Sequence, residues 1–165
     1  MKIFVINGSG GCGKDTFIHY CMGIHTGKVL NISTVDIIKD AAVFLGWEHG
    51  KEEKDRQFLA SLKDLATKYY DAPFQYVKDS IEARTSYYGD NGLAFIHCRE
   101  PKEIDRFVRE LGAKTILIDA SKRVPVITSN EADKNVFDYN YDFIIDNNGD
   151  EKQLCESART FLDNI

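Results

Sequence analysis

Residues 2–16 read Lys2-Ile-Phe-Val-Ile-Asn-Gly8-Ser-Gly-Gly-Cys-Gly-Lys14-Asp15-Thr16. Ile3 to Ile6 is an unbroken apolar run, the pattern of a strand buried on both faces of a parallel sheet. Glycines at 8, 10, 11 and 13 then free the backbone from the usual steric limits. A helical pattern starts at Lys14. Strand, glycine-rich turn and helix in direct succession form the opening unit of an α/β fold.

Two motifs overlap in the turn. Gly8, Gly10 and Gly13 satisfy G-x-G-x-x-G, the dinucleotide-binding turn, and Asp36 lies roughly 20 residues further on, where that turn's ribose-binding acid is sought. Gly8 to Lys14 also satisfies G-x-x-x-x-G-K, the phosphate-binding loop. Lys14 separates them. A loop that wraps a phosphate at a helix N-terminus uses a lysine to reach the outer phosphates, and a dinucleotide site has no use for one there. The dinucleotide acid also belongs at the tip of the second strand, where this chain has Ser33. The residues expected to hold a nucleotide are therefore Gly8, Gly10, Gly11, Cys12, Gly13, Lys14, Asp15 and Thr16. Asp15 occupies the position where a Ser or Thr hydroxyl usually ligates Mg²⁺. A carboxylate is itself a hard-cation ligand, so Asp15 and Thr16 are the metal candidates. The alternative is that Asp15 only favours the helix N-terminus. Cys12, among loop amides and beside Lys14, has a setting that makes a thiol reactive.

Composition narrows the partners. The chain has 165 residues, with 21 Lys and Arg against 26 Asp and Glu and a net charge of −5. That balance disfavours a nucleic-acid polymer, whose binders carry a basic face, but not a small anion held by a few placed cations. The four cysteines show no zinc spacing and fit reduced thiols in a cytoplasmic protein. No apolar run approaches the roughly 20 residues that span a bilayer, and Ile3–Ile6 is too short for a signal segment. A single domain over 1–165 is the expectation.

Further strands are expected at Val29–Ile32, Leu93–Ile96, Thr115–Ile118 and Phe143–Ile145. Helices are expected at 14–22, from a Ser33 or Thr34 cap to a stop at Gly46, twice within 51–88, at 101–111 and at 151–163. Phe58, Leu59, Leu62, Leu65, Ala66 and Tyr69 form a stripe at helical spacing. Of the aromatics crowding this region, Tyr69, Tyr70, Phe74, Tyr76, Tyr87 and Tyr88, one could stack on a base, but such a stripe reads more often as core. The fold class is therefore a three-layer α/β/α sheet of five parallel strands, with a helical insert at about 47–90 and a short lid at about 120–140. Ligands of such sheets lie beyond the carboxyl ends of the strands.

The sequence from Gly8 to Thr16 at the end of the first strand resembles the deoxynucleoside monophosphate kinases and the related phosphomevalonate kinases, which also carry Asp after the lysine. Ser33-Thr-Val-Asp-Ile-Ile-Lys39, Arg56, Phe95-Ile-His-Cys-Arg-Glu-Pro-Lys-Glu103 and Tyr141-Asp-Phe-Ile-Ile-Asp-Asn-Asn148 are similar to their acceptor-side, third-strand and terminal-strand segments. The resemblance covers nearly the whole chain, and the loop is its specific part. It implies a P-loop NTPase fold and transfer of a phosphoryl group from ATP, with Mg²⁺, to a small phosphorylated acceptor such as a (deoxy)nucleoside monophosphate. It also leaves open a monomer or a homodimer. A kinase of another phosphorylated metabolite and a nucleotide-binding protein with weak or no transfer remain as alternatives. The second is motivated by His97, which stands where that family has an acid, and by a lid whose basic residues are Lys122 and Arg123.

Phosphoryl transfer depends on positioning and charge neutralisation. Lys14, Arg99 and Arg123 are the expected catalytic cations, the two arginines following strand ends. A surface pairing of Arg99 with Glu100 or Glu103, and a solvated lid position for Arg123, are the plainer readings. Asp36, Lys39, Arg56 and Arg84 are expected at the acceptor, since guanidinium groups bind a monophosphate bidentately.

Overall fold

Phe4 and Ile6 face one side of the central strand and Val5 the other, and a separate apolar core has formed against each side. The computed structural model describes residues 1–124 and 136–165. Along the chain run β1 (Lys2–Asn7), α1 (Lys14–Ile24), β2 (Val29–Ser33), α2 (Asp36–Phe44), α3 (Glu53–Tyr70), α4 (Ala72–Tyr88) and β3 (Leu93–His97). There follow α5 (Pro101–Leu111), β4 (Lys114–Asp119), β5 (Phe143–Asp146) and α6 (Glu151–Asp163). The strands form one sheet in the order β2-β3-β1-β4-β5, and every pairing is parallel. With helices on both faces this is the three-layer α/β/α P-loop NTPase fold. β1 lies in the middle, so the loop leaving its carboxyl end emerges over the centre of the sheet.

One core joins α1 and α6 to the sheet. Phe161 meets Phe4, Phe17 and Phe143 edge-on, with ring centroids 5.1, 5.5 and 5.2 Å apart. These are the favoured offset geometries of aromatic pairs. The other core joins α4 and α5 to the sheet through Phe74 stacked on Phe107 at 4.9 Å. Arg106 lies over the Phe74 ring at 3.6 Å and pairs with Asp71 and Glu110. Asp71 stands between α3 and α4 with φ 55°, so this guanidinium ties the corner of the helical pair to α5.

Two expectations fail here. Ser33 and Thr34 do not cap α2 by a side chain; Asp36 turns back instead, its Oδ2 accepting from Ser33 N at 2.7 Å. The stripe on α3 is not core. No residue of α3 is buried, and Tyr69 is 89% exposed. The periodicity fixed the helix correctly, but α3 packs mainly on α2 and α4, so its apolar face is covered only in part. Within the expected lid, residues 125–135 lie outside the described residues.

Truncating Phe161 empties the most crowded aromatic contact, so Phe161→Ala is expected to lower unfolding free energy by about 3–5 kcal/mol in urea titrations. Tyr69→Ala should change it by less than about 0.5 kcal/mol.

Candidate nucleotide and acceptor site

The loop after β1 is shaped by its own carbonyls. Lys14 Nζ reaches back from the first turn of α1 and donates to Gly8 O at 2.6 Å and Ser9 O at 3.0 Å. Gly11 and Gly13 are left-handed, with φ 75° and 96°, a conformation only glycine adopts cheaply. A Cβ at Gly13 would also collide with the side-chain nitrogen of Asn147. That nitrogen donates to Cys12 O at 2.7 Å, and Asn147 N donates to Asp119 O at 2.7 Å. Asn147 is therefore a buried strut that fixes the loop to the ends of β4 and β5. Asn7 fixes the other side, accepting from Gly8 N at 2.7 Å and donating to the Tyr141 hydroxyl at 2.8 Å. Burial pushes the Tyr141 hydroxyl up to about 12, so it stays a neutral donor, here to Val136 O.

The residues 11–16 enclose a hollow of about 210 Å³ at the N-terminus of α1. Helix amides and the dipole favour an anion there. A Cβ on Gly11 would meet nothing within 4 Å, so the loop is open on that side. Beside the hollow lies a cleft of about 860 Å³. Lys14, Asp15, Asp36, Lys39, His97 and Arg99 all line it, which gathers residues from the carboxyl ends of β1, β2 and β3. Burial lowers the Lys14 ammonium below its usual range, Arg99 adds to this, and Cys12 and Asp15 oppose it. His97 donates to Asn31 Oδ1 at 2.8 Å and stands 3.6 Å from Asp15 Oδ1. Burial holds its imidazole below the usual histidine range, with Asp15 opposing. The third-strand tip thus presents a neutral ring where the resemblance called for an acid.

Asp15 is fit for a hard cation. Its side chain is 88% exposed and lines both hollow and cleft, with Thr16 beside it in the hollow. Among the described residues there is no cluster of three or more His, Cys, Asp or Glu that could cage a metal.

Other expected residues lie elsewhere. Arg56 and Arg84 do not line the cleft; Arg84 Nη1 donates within its own helix to Ser80 O at 2.9 Å. Arg123 Nε donates to Asn147 O at 3.0 Å, on the β5–α6 turn. Cys12 is 1% exposed and packed into the core beneath the loop, so it lacks the access a reactive thiol needs. Sequence reasoning missed Lys63, Asp64 and Thr67 of α3, which line the cleft. With Ala60 they occupy positions i, i+3, i+4 and i+7 of one polar face of α3, a periodic signal, and the packing of α3 on α2 and α4 turns that face to the cleft.

No family model and no curated protein sequence matches the chain. Solved structures do share its fold. A sugar kinase from a Janibacter species superposes with a TM-score of 0.55 at 15% identity, over 99% of this chain and 95% of that one. A Thermus thermophilus protein gives 0.51 at 16% identity, over 99% and 97%. An APS kinase of Mycobacterium tuberculosis gives 0.50 at 10% identity, over 98% and 96%. At these identities the likeness is one of fold. Among the described residues no helix is long and apolar enough to cross a membrane.

Thiol exposure gives a direct check on the loop. Burial pushes Cys21 up to about 12 and Cys98 well above the usual thiol range, and Cys12 is enclosed, whereas Cys155 is half-buried. Alkylation of the native protein at about pH 8, read by peptide mass spectrometry, should label Cys155 well before the other three.

Proposed function

We propose that this protein transfers a phosphoryl group from ATP to a small phosphorylated acceptor, a (deoxy)nucleoside monophosphate being the leading class. The observation that carries the reading is the continuity of the two spaces: the anion hollow of residues 11–16 adjoins a cleft at the strand ends, and Lys14 and Asp15 line both. A donor phosphate on the loop and an acceptor in the cleft then meet at Lys14.

The roles follow from placement. The loop residues Gly8 to Gly13 cradle the donor phosphates at the N-terminus of α1. Lys14 exchanges the carbonyls of Gly8 and Ser9 for outer phosphate oxygens, which are stronger acceptors because they are charged. Asp15 and Thr16 would hold Mg²⁺, which when bound neutralises phosphate charge. Arg99, at the end of β3, is placed to stabilise the migrating group by electrostatic complementarity. Lys39 offers the acceptor a cation from α2. Walls of packed helices hold these groups fixed, which supplies most of what phosphoryl transfer needs.

His97 favours a second reading, a nucleotide-binding protein with weak or no transfer, because a neutral ring replaces a carboxylate at the β3 tip. Product formation decides between them. With ATP, Mg²⁺ and a panel of nucleoside monophosphates, the wild-type protein should yield ADP and a nucleoside diphosphate. Lys14→Ala should abolish ATP binding, whereas Arg99→Ala should leave it intact and lower kcat by roughly 10²–10³. ATP binding without product from any monophosphate would support the second reading; turnover unchanged in both variants would sink the first.

A further inference from the structure

Away from the loop, Asp36, Asp64, Glu100 and Glu103 line the cleft together with Lys39, Lys63 and Arg99. Lys39 supplies one cation there, and a second that turns to meet a phosphate monoester offsets its repulsion by the carboxylates, which is strong in a half-dry site. Lys63 is the lysine held back. Its Nζ stands 3.2 Å from each carboxylate oxygen of Glu103, bridging α3 to α5. The two side chains are 21% and 26% exposed, so the pair is far less screened than a surface ion pair. Glu103 also has a second partner, since Cys98 Sγ donates to its Oε2 at 3.4 Å. The carboxylate therefore keeps a donor after the ammonium leaves. α3 buries no residue, so Lys63 can change partners without opening the core.

Resting on the reading of a phosphorylated acceptor, we propose that Lys63 recognises the acceptor phosphate and that Glu103 is the counter-ion holding it until that phosphate arrives. The exchange selects by charge. A dianionic phosphate outbids the single charge of Glu103, while a carboxylate competes on level terms and a hydroxyl does not compete. Lys63 is in this sense the specificity-determining residue of the cleft and Glu103 its positioning residue.

The two partners separate this from a structural tie. With the loop saturated by a non-hydrolysable ATP analogue and Mg²⁺, inorganic phosphate is titrated as the probe by calorimetry. The Kd for phosphate should rise roughly tenfold in Lys63→Met and fall several-fold in Glu103→Gln, while affinity for the analogue stays the same in all three proteins. A tie that only fastens α3 to α5 is broken equally by either substitution, so shifts in the same direction, or none, overturn the proposal. A wild-type protein that binds the analogue but no phosphate overturns it as well. Failure of the wild type to bind the analogue at all overturns the kinase reading itself, and this inference with it.

Discussion

Two carbonyl oxygens converging on one ammonium set the geometry of the whole site. Gly8 O and Ser9 O both accept from Lys14 Nζ, and this closes the loop between β1 and α1 into a curl around the start of the helix. The curl requires left-handed backbone at Gly11 and Gly13, and it is braced from both sides. Asn7 holds its entry and Asn147 its exit. Because β1 is the central strand, the brace also couples the loop to β4 and β5. The sheet thus acts as a rigid mount for a loop whose charged lysine is already in place, with partners that an incoming phosphate can replace.

The cleft shows the opposite economy. On the loop side, cations and amides face an anion directly. On the α3 side, carboxylates outnumber lysines, and the one half-buried lysine of α3 is engaged by Glu103. A site that simply attracted phosphate would not be built so. Under the proposed reading, entry to the acceptor end falls to a ligand able to displace this ion pair.

The fold and the loop were legible in the sequence because both depend on local signals. Apolar runs of four or five residues mark the strands, and β-strand bounds differ from expectation by a residue or so. Gly8, Gly13 and Lys14 mark a loop whose geometry is dictated within its own span. What escaped was long-range. Asn147 lies far along the chain from the Cys12 carbonyl it holds. Lys63 and Glu103 belong to separate helices whose approach no periodicity records. Arg56 and Arg84 carried the right chemistry but do not line the cleft: Arg56 lies one turn before the lining residues of α3, Arg84 donates within its own helix, and Arg123 donates to the Asn147 carbonyl. α3 misled most plainly, since a helical stripe reveals a helix and says nothing about whether a sheet lies beneath it.

Amide hydrogen exchange on addition of ATP and Mg²⁺ tests the central claim most directly, because it reports where the phosphates rest without requiring turnover. The account predicts slowed exchange concentrated in residues 8–16, with α6 and the β4 and β5 strands changing little. Protection that falls outside the loop, or none at concentrations where ATP is bound, would contradict it.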